Sequence, residues 1–232
     1  MKIAGSTALV TGANRGLGRQ FAEQLLARGA AVYAAARHPE SIDLPGTVPI
    51  RLDVTDRDSI AAAAEQARGV SLLINNAGSF TGVSLLDGDR ADIELEMNTH
   101  YFGPLDVIRA FAPQLAAHDS SIIVNVLSVL SWVTYPGYTG YSAAKAAAWS
   151  LTSGLRQELA SQHTQVSALH VGFMDTDMVR HVGAAKTDPA IVAKLALDGA
   201  QAGQLEILAD QTSRQVQANL AGGVLALYPQ FA

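Results

Sequence analysis

The strongest constraint on this chain is its alternation of short, uncharged apolar runs with longer stretches of helical periodicity. Thr7–Val10 is an apolar run that ends in a glycine-rich turn. From Gly16 to Arg28, Leu17, Phe21, Leu25 and Leu26 then share one helical face, with Gly29 placed to cap its end. Ala31–Ala36, Val48–Leu52, Ser71–Ile74, Ser121–Leu127 and Gln165–Val171 repeat the strand pattern. Helices are expected after Asp53, where Thr55 and Asp58 suggest a capping box for a segment through Ala67, and over Asp89–Ala117 and Tyr141–Ser161. Another is expected from Asp188-Pro189, with Asp as N-cap and Pro in the first turn. Glu206–Leu220 reads as helical, and a seventh strand is expected only around Val224–Ala226. Strands that are apolar on both faces belong in a parallel sheet covered by helices on both sides. The expected fold is therefore α/β, a Rossmann-like doubly wound parallel β-sheet. It forms a single domain over residues 1–232, with a short substrate lid around 173–200.

Composition narrows the function. Hydrophobic residues make up 49% of the 232 residues and charged residues 16%, as in a protein with a substantial core. A net charge of −5, with no run of Lys and Arg, gives no footprint for nucleic acid. There is no cysteine, so thiolate and disulfide chemistry are excluded. No apolar stretch is long enough to span a bilayer, and Met1–Gly5 has no export pattern, so no membrane association and a cytoplasmic location are expected. The histidines at 38, 100, 118, 163, 170 and 181 show no pair at metal-ligand spacing, and no metal is expected.

In a doubly wound sheet the ligand lies beyond the carboxyl ends of the strands, where the strand order reverses. Thr11-Gly12-Ala13-Asn14-Arg15-Gly16-Leu17-Gly18 occupies that place, between the first strand and the first helix. Glycines allow a tight turn and close approach to a pyrophosphate, and the helix start offers N–H groups to its charge. The spacing differs from the G-x-G-x-x-G of the common dinucleotide motif. The end of the second strand discriminates between cofactors. Ala35-Ala36-Arg37-His38 has no acid until Glu40, and Arg37, joined by Arg15, suits the 2′-phosphate of NADP(H) better than the bare ribose of NAD(H).

Tyr141 and Lys145 are four residues apart and share a helix face. Tyr101, Tyr135 and Tyr138 are followed at that spacing by Leu105, Thr139 and Ser142, so Tyr141 alone has a cation partner. A neighbouring ammonium is expected to draw the phenol's pKa down from about 10 toward the working range.

The glycine loop, Asn75-Asn76-Ala77-Gly78, Asn98, Ser128 and Tyr141-x-x-x-Lys145 occur in an order that resembles the short-chain dehydrogenase/reductase family, roughly from residue 5 to 180. The spacing from Ser128 to Tyr141 resembles the single-domain branch. The resemblance implies interconversion of a carbonyl and an alcohol by hydride transfer. In it Tyr141 is the general acid/base, Ser128 steadies the substrate oxygen, and Lys145 also holds the nicotinamide ribose. Asn98 supports a water-linked proton path. It further implies that Gly12, Asn14, Arg15, Gly16, Leu17 and Gly18 surround the cofactor phosphates. Asp53 and Val54 would lie at the adenine, and Asn76, Ala77 and Gly78 along the cofactor groove. Val171-Gly172 departs from the family's Pro-Gly and suggests a looser turn there, from which Gly172 and Thr176 would still reach the cofactor.

The substrate is expected to be a partly hydrophobic carbonyl or alcohol bordered by Leu130–Tyr135 and Phe173–Val182, although Trp132 and Phe173 are equally compatible with core packing. The alanines of the Tyr141 helix suggest a surface shared with another subunit, and the family resemblance implies a homodimer or homotetramer. Two alternatives stand beside the NADP(H)-dependent reading: a catalytically silent NADP-binding regulator or scaffold, and an NAD-linked alcohol dehydrogenase.

Overall fold

The computed structural model describes residues 1–180 and 182–231; His181, one of the six histidines considered above, lies outside the described residues, as does Ala232. Among the described residues, seven strands form one sheet, every neighbouring pair of which is parallel. The strands are β1 (Thr7–Thr11), β2 (Ala31–Ala36), β3 (Thr47–Arg51), β4 (Leu72–Asn75), β5 (Ser121–Val126), β6 (Thr164–His170) and β7 (Glu206–Leu208), in the order β3-β2-β1-β4-β5-β6-β7. The order reverses between β1 and β4, so the chain runs outward to one edge and then to the other.

Each strand divides its side chains between two cores, as a period of two requires. Ala8 and Val10 of β1, Leu72 and Ile74 of β4, and Ile122 and Val124 of β5 join one cluster; Leu9, Leu73 and Ile123 join the other. The first cluster is closed by α1 (Gly16–Ala27), through Leu17, Phe21 and Leu25, and by α6 (Pro189–Gln201), through Val192, Ala193, Ala196 and Leu197. The second is closed by α2 (Arg57–Gln66), α4 (Gly103–Ala116) and α5 (Thr139–Glu158), with Phe111 at its centre. Gly29 follows α1 with φ of +82°, a left-handed geometry suited to glycine.

Several boundaries differ from expectation for identifiable reasons. The cap of α2 is Asp56, whose carboxylate accepts from Asp58 N–H and Ser59 N–H at 3.0 and 3.3 Å; the Thr55 hydroxyl instead donates to Asp53. The expected helix over Asp89–Ala117 is α3 (Arg90–Met97), a wider π turn over Asn98–Phe102, and α4. The seventh strand is Glu206–Leu208, within the segment read as helical. Val224–Ala226 lies in a short helix, α8 (Gly223–Leu227), preceded by α7 (Gln211–Asn219). A three-residue edge strand has too little periodicity to be told from a helix start. The second half of the expected lid is α6, whose apolar face belongs to the core; among the described residues before it, 173–180 and 182–188, the only helical piece is the 3₁₀ turn Asp177–Val179. Met174 and Thr187 bridge the base of that segment. Among the described residues no helix is long and apolar enough to cross a membrane.

Phe111 is fully buried between α4 and the sheet. Its replacement by alanine should cost about 3–5 kcal/mol, read as a lower urea midpoint at unchanged slope.

Candidate active site

Because β1 and β4 carry the chain in opposite directions across the sheet, a crevice opens at their carboxyl ends, and the glycine loop sits in it. Thr11 ties the two strands together. Its hydroxyl donates to the Ile74 carbonyl at 3.3 Å and accepts from the N–H groups of Asn76 and Ala77 at 2.9 and 3.0 Å. The Asn76 amide donates in turn to the carbonyls of Thr11 and Gly12, at 2.9 and 3.2 Å, which makes it a strut beneath the loop. Gly12 has φ of +66°, and a Cβ on Gly18 would stand 2.1 Å from the Gly12 carbonyl oxygen. Helix α1 opens at Gly16 without a side-chain cap on its first turn, leaving backbone donors for an anion. This close-packed, uncapped turn fits a pyrophosphate.

Asp53 uses a carboxylate oxygen to hold Thr55, at 3.0 Å to its N–H and 2.8 Å to its hydroxyl. Val54 is buried against Gly103. Ala77 lies under Gly12, and Gly78 faces His100. Thr176 stands over Gly16, with its methyl 3.3 Å from where a glycine Cβ would project. Arg37 is exposed at the end of β2, and the Ala13 N–H bonds the Ala35 carbonyl at 3.0 Å, which keeps Asn14 and the glycine loop beside that strand end. The exposed Arg15 guanidinium pairs with Asp177 at 2.9 Å, linking the glycine loop to the segment after β6. The looser turn expected at Val171-Gly172 is absent. The Gly172 N–H is held by Asp210 at 2.5 Å, and the Val171 carbonyl accepts from Val129 N–H at 3.0 Å.

Ser128, Tyr141 and Lys145 converge further along the crevice. Ser128 follows β5, and its hydroxyl accepts from Leu130 N–H at 3.1 Å. Tyr141 lies in the first turn of α5, half-buried, with its ring edge-on to Phe80 and His100 at 5.7 and 5.0 Å. Lys145 is buried one turn later, its ammonium 5.5 Å from the centre of the Tyr141 ring and donating to the Val126 carbonyl at 2.8 Å. The ammonium thus sits over the ring, and the Tyr141 pKa is not drawn down as expected. Burial raises it above its ordinary value, the Glu96 carboxylate adds to the rise, and a polar contact from Ser128 opposes them. Burial pushes Lys145 down to about 8, against the pull of Glu96.

Asn98 is the one expected catalytic residue that stands outside this cluster. It is exposed and lines a surface groove of about 340 Å³ with Val54, Thr55, Arg57, Phe102, Gly103 and Asp106. Residues two apart on a helical turn face opposite ways, and it is His100 that turns inward to Tyr141. The sequence signal for His100 was its spacing from Glu96, four residues earlier on the same face. Trp132 stacks on His170 at 3.8 Å, 16° from parallel, and Phe173 lies 6.2 Å from the Tyr138 ring. An apolar wall beside Tyr141 comes from Val129, Leu130 and Val133, with Val216, Leu227 and Tyr228 of the C-terminal segment. The Tyr228 hydroxyl accepts from Thr134 N–H at 2.8 Å. This contribution was hidden because the C-terminal forty residues lack clear periodicity.

A doubly wound sheet with a glycine-built anion turn and a Ser-Tyr-Lys cluster at its carboxyl edge defines a dinucleotide-binding oxidoreductase. Residues 6–187 match the short chain dehydrogenase family, and the chain belongs to it. The fold is close to that of a short chain dehydrogenase from Burkholderia cenocepacia in complex with NADP. That structure is 37% identical with a TM-score of 0.94, over 99% of this chain and 98% of the other. Relatives include the 3-oxoacyl-(acyl-carrier-protein) reductase FabG of Thermotoga maritima, 31% identical over 77% of this chain and 78% of its own length. Gluconate 5-dehydrogenase of Gluconobacter oxydans is 33% identical over 78% and 75%.

Gly18→Ala forces its methyl against backbone that cannot yield locally. It should cost about 1–3 kcal/mol, visible as a lower thermal midpoint.

Proposed function

We propose that this protein is an NADP(H)-dependent reductase that converts a partly hydrophobic ketone or aldehyde to the alcohol, with Tyr141 as the proton donor. The observation that carries this reading is the convergence of Tyr141, Ser128 and Lys145 beside a glycine turn fit for a pyrophosphate. Bound NADPH supplies the hydride. Ser128 and Tyr141 hold the carbonyl oxygen between two hydroxyls, where charge grows as the hydride arrives, and Tyr141 delivers its proton to that oxygen. Lys145, buried and cationic, favours transient negative charge on the phenol without taking part in a covalent bond.

Burial and the Glu96 carboxylate keep the Tyr141 phenol protonated, the form from which a proton can pass to a carbonyl oxygen. The apolar wall of Val129, Leu130 and Val133 supports a hydrophobic body on the substrate. NADP(H) is favoured by the exposed Arg37 at the end of β2 and by the likeness to a relative whose structure contains NADP. Arg15, engaged with Asp177, leaves Arg37 as the main candidate for the 2′-phosphate.

Reduction of a carbonyl panel with NADPH tests the chemistry. Tyr141→Phe should lower kcat by about 10²–10⁴-fold with cofactor binding retained. The wild-type reduction rate should hold through neutral pH and decline above about 8, as Lys145 loses its proton. Equal turnover by Tyr141→Phe would sink the mechanism. Tight NADPH binding with no turnover on any carbonyl would point to a silent cofactor-binding regulator. Arg37→Asp should weaken NADPH by about tenfold or more and spare NADH, measured by fluorescence titration of each; unchanged discrimination would remove the cofactor argument.

A further inference from the structure

Ser128 stands where the β5–β6 ladder ends. The last paired residues are Val126 and Leu169, and at Ser128 the chain enters the 3₁₀ turn Val129–Ser131. The Ser128 hydroxyl accepts from Leu130 N–H at 3.1 Å and donates to the Val171 carbonyl at 3.4 Å, a bond too long to hold it firmly. The Ser128 carbonyl is gripped more closely. It accepts from Ser131 N–H at 3.0 Å within the turn, and His170, the wholly buried last residue of β6, brings Nδ1 to 3.2 Å from the same oxygen. A carbonyl can only accept, so Nδ1 carries a hydrogen.

The other side of the ring is fixed as well. His170 Nε2 lies 2.7 Å from Glu206 Oε2. Glu206 of β7 pairs with Ala168, two residues before His170 on β6, so both side chains share one face of the sheet. The second Glu206 oxygen pairs with Arg156 Nη1 at 2.8 Å. Arg156, in the last turn of α5, is itself tied to the carbonyls of Val166 and Leu205, at 2.9 and 2.5 Å. Trp132 then covers one face of the imidazole, 3.8 Å away and 16° from parallel. A ring bonded at both nitrogens and covered on one face has one orientation.

The bonds run in series from Arg156 through Glu206 and His170 to the main chain of Ser128, and so bring α5, β7 and β6 to bear on one peptide group. That peptide group starts at the Cα from which the hydroxyl projects, two bonds away, so fixing it leaves only the side-chain torsion free. A misplacement of about 1 Å at a group that meets the reacting atoms can cost about a hundredfold in rate, so a bond made to the back of Ser128 is felt in turnover. We propose that His170 is a positioning residue for Ser128: oriented by the Glu206–Arg156 ion pair and by Trp132, it donates from Nδ1 to the Ser128 carbonyl and keeps the Ser128 hydroxyl aimed at the substrate oxygen. The inference rests on the reading of Ser128 as a partner of that oxygen.

The test is a double-mutant cycle on NADPH-dependent reduction, with NADPH affinity followed by fluorescence titration. His170→Leu removes the donor and should lower kcat by about tenfold or more at unchanged NADPH affinity. His170→Asn, which returns an N–H to the place of Nδ1, should recover most of that loss. Ser128→Ala should cost about a hundredfold in kcat. Adding His170→Leu to it should cost little more, because the group that His170 serves is already gone. A merely structural role lowers kcat in both backgrounds alike. Losses that multiply, or a His170→Leu enzyme with unchanged kcat, overturn the inference. Undiminished reduction by Ser128→Ala refutes instead the reading of Ser128 itself, so the two failures are told apart. Should His170→Leu not fold, Glu206→Gln, at a partly exposed position, carries the same cycle: it should lower kcat in the wild-type background and leave Ser128→Ala unchanged. A further measurement needs no variant and no turnover. In ¹⁵N-histidine-labelled wild-type protein, His170 Nδ1 should bear a hydrogen, and a bare Nδ1 overturns the inference.

Discussion

The reversal of strand order between β1 and β4 is the constraint on which the rest of the molecule depends. Parallel strands require long crossovers, and the crossovers on either side of the reversal leave to opposite faces, so no helix covers the gap between them. The open end is therefore the one place where backbone donors, a glycine turn and side chains from several strands can meet a ligand. Thr11 and Asn76 stabilise that gap. They satisfy the polar groups of β1 and β4 that the missing crossover would otherwise leave unpaired. The glycines then permit a backbone approach that any side chain would block, as the 2.1 Å separation at Gly18 makes plain.

The second organising effect is the burial of charge at the far side of the same crevice. Lys145 and Glu96 are both buried, yet they form no direct ion pair: Lys145 is bonded to the Val126 carbonyl, and Glu96 to Thr81, Ser79 and His100. Each charge is thus satisfied locally, and the Glu96 carboxylate adds to the rise of the Tyr141 pKa. Keeping the two charges apart costs desolvation twice, which folding tolerates here because each has hydrogen-bond partners already in place. The outcome is a tyrosine whose proton affinity is set by a balance among burial, Glu96 and Ser128.

Much of this is legible in the sequence. The sheet was readable because strands buried on both faces are apolar throughout, and the glycine loop, Ser128, Tyr141 and Lys145 follow one another in an order tied to that sheet. What escaped notice shares a physical cause, since it depends on local geometry that periodicity does not encode. Asp56 displaces Thr55 as a cap because a carboxylate one residue later reaches two N–H groups. The strand Glu206–Leu208 is too short to show its period, and Glu206 looks polar only because its carboxylate serves His170 and Arg156, at 2.7 and 2.8 Å. The C-terminal wall of Val216, Leu227 and Tyr228 is built from short turns.

The exchange of Asn98 for His100 is the most instructive of these differences. A π turn widens the helix between α3 and α4, and Gly103 makes this possible by packing its bare Cα against Val54, where a Cβ would meet the Val54 carbonyl oxygen at 2.7 Å. Without that wide turn, Glu96 and His100 would still be four residues apart, but the helix would not carry both beneath Tyr141 while directing Asn98 to the surface. A backbone irregularity of five residues therefore decides that His100, and not Asn98, faces the Tyr141 ring. The helix register, more than the identity of any one residue, sets what packs against Tyr141.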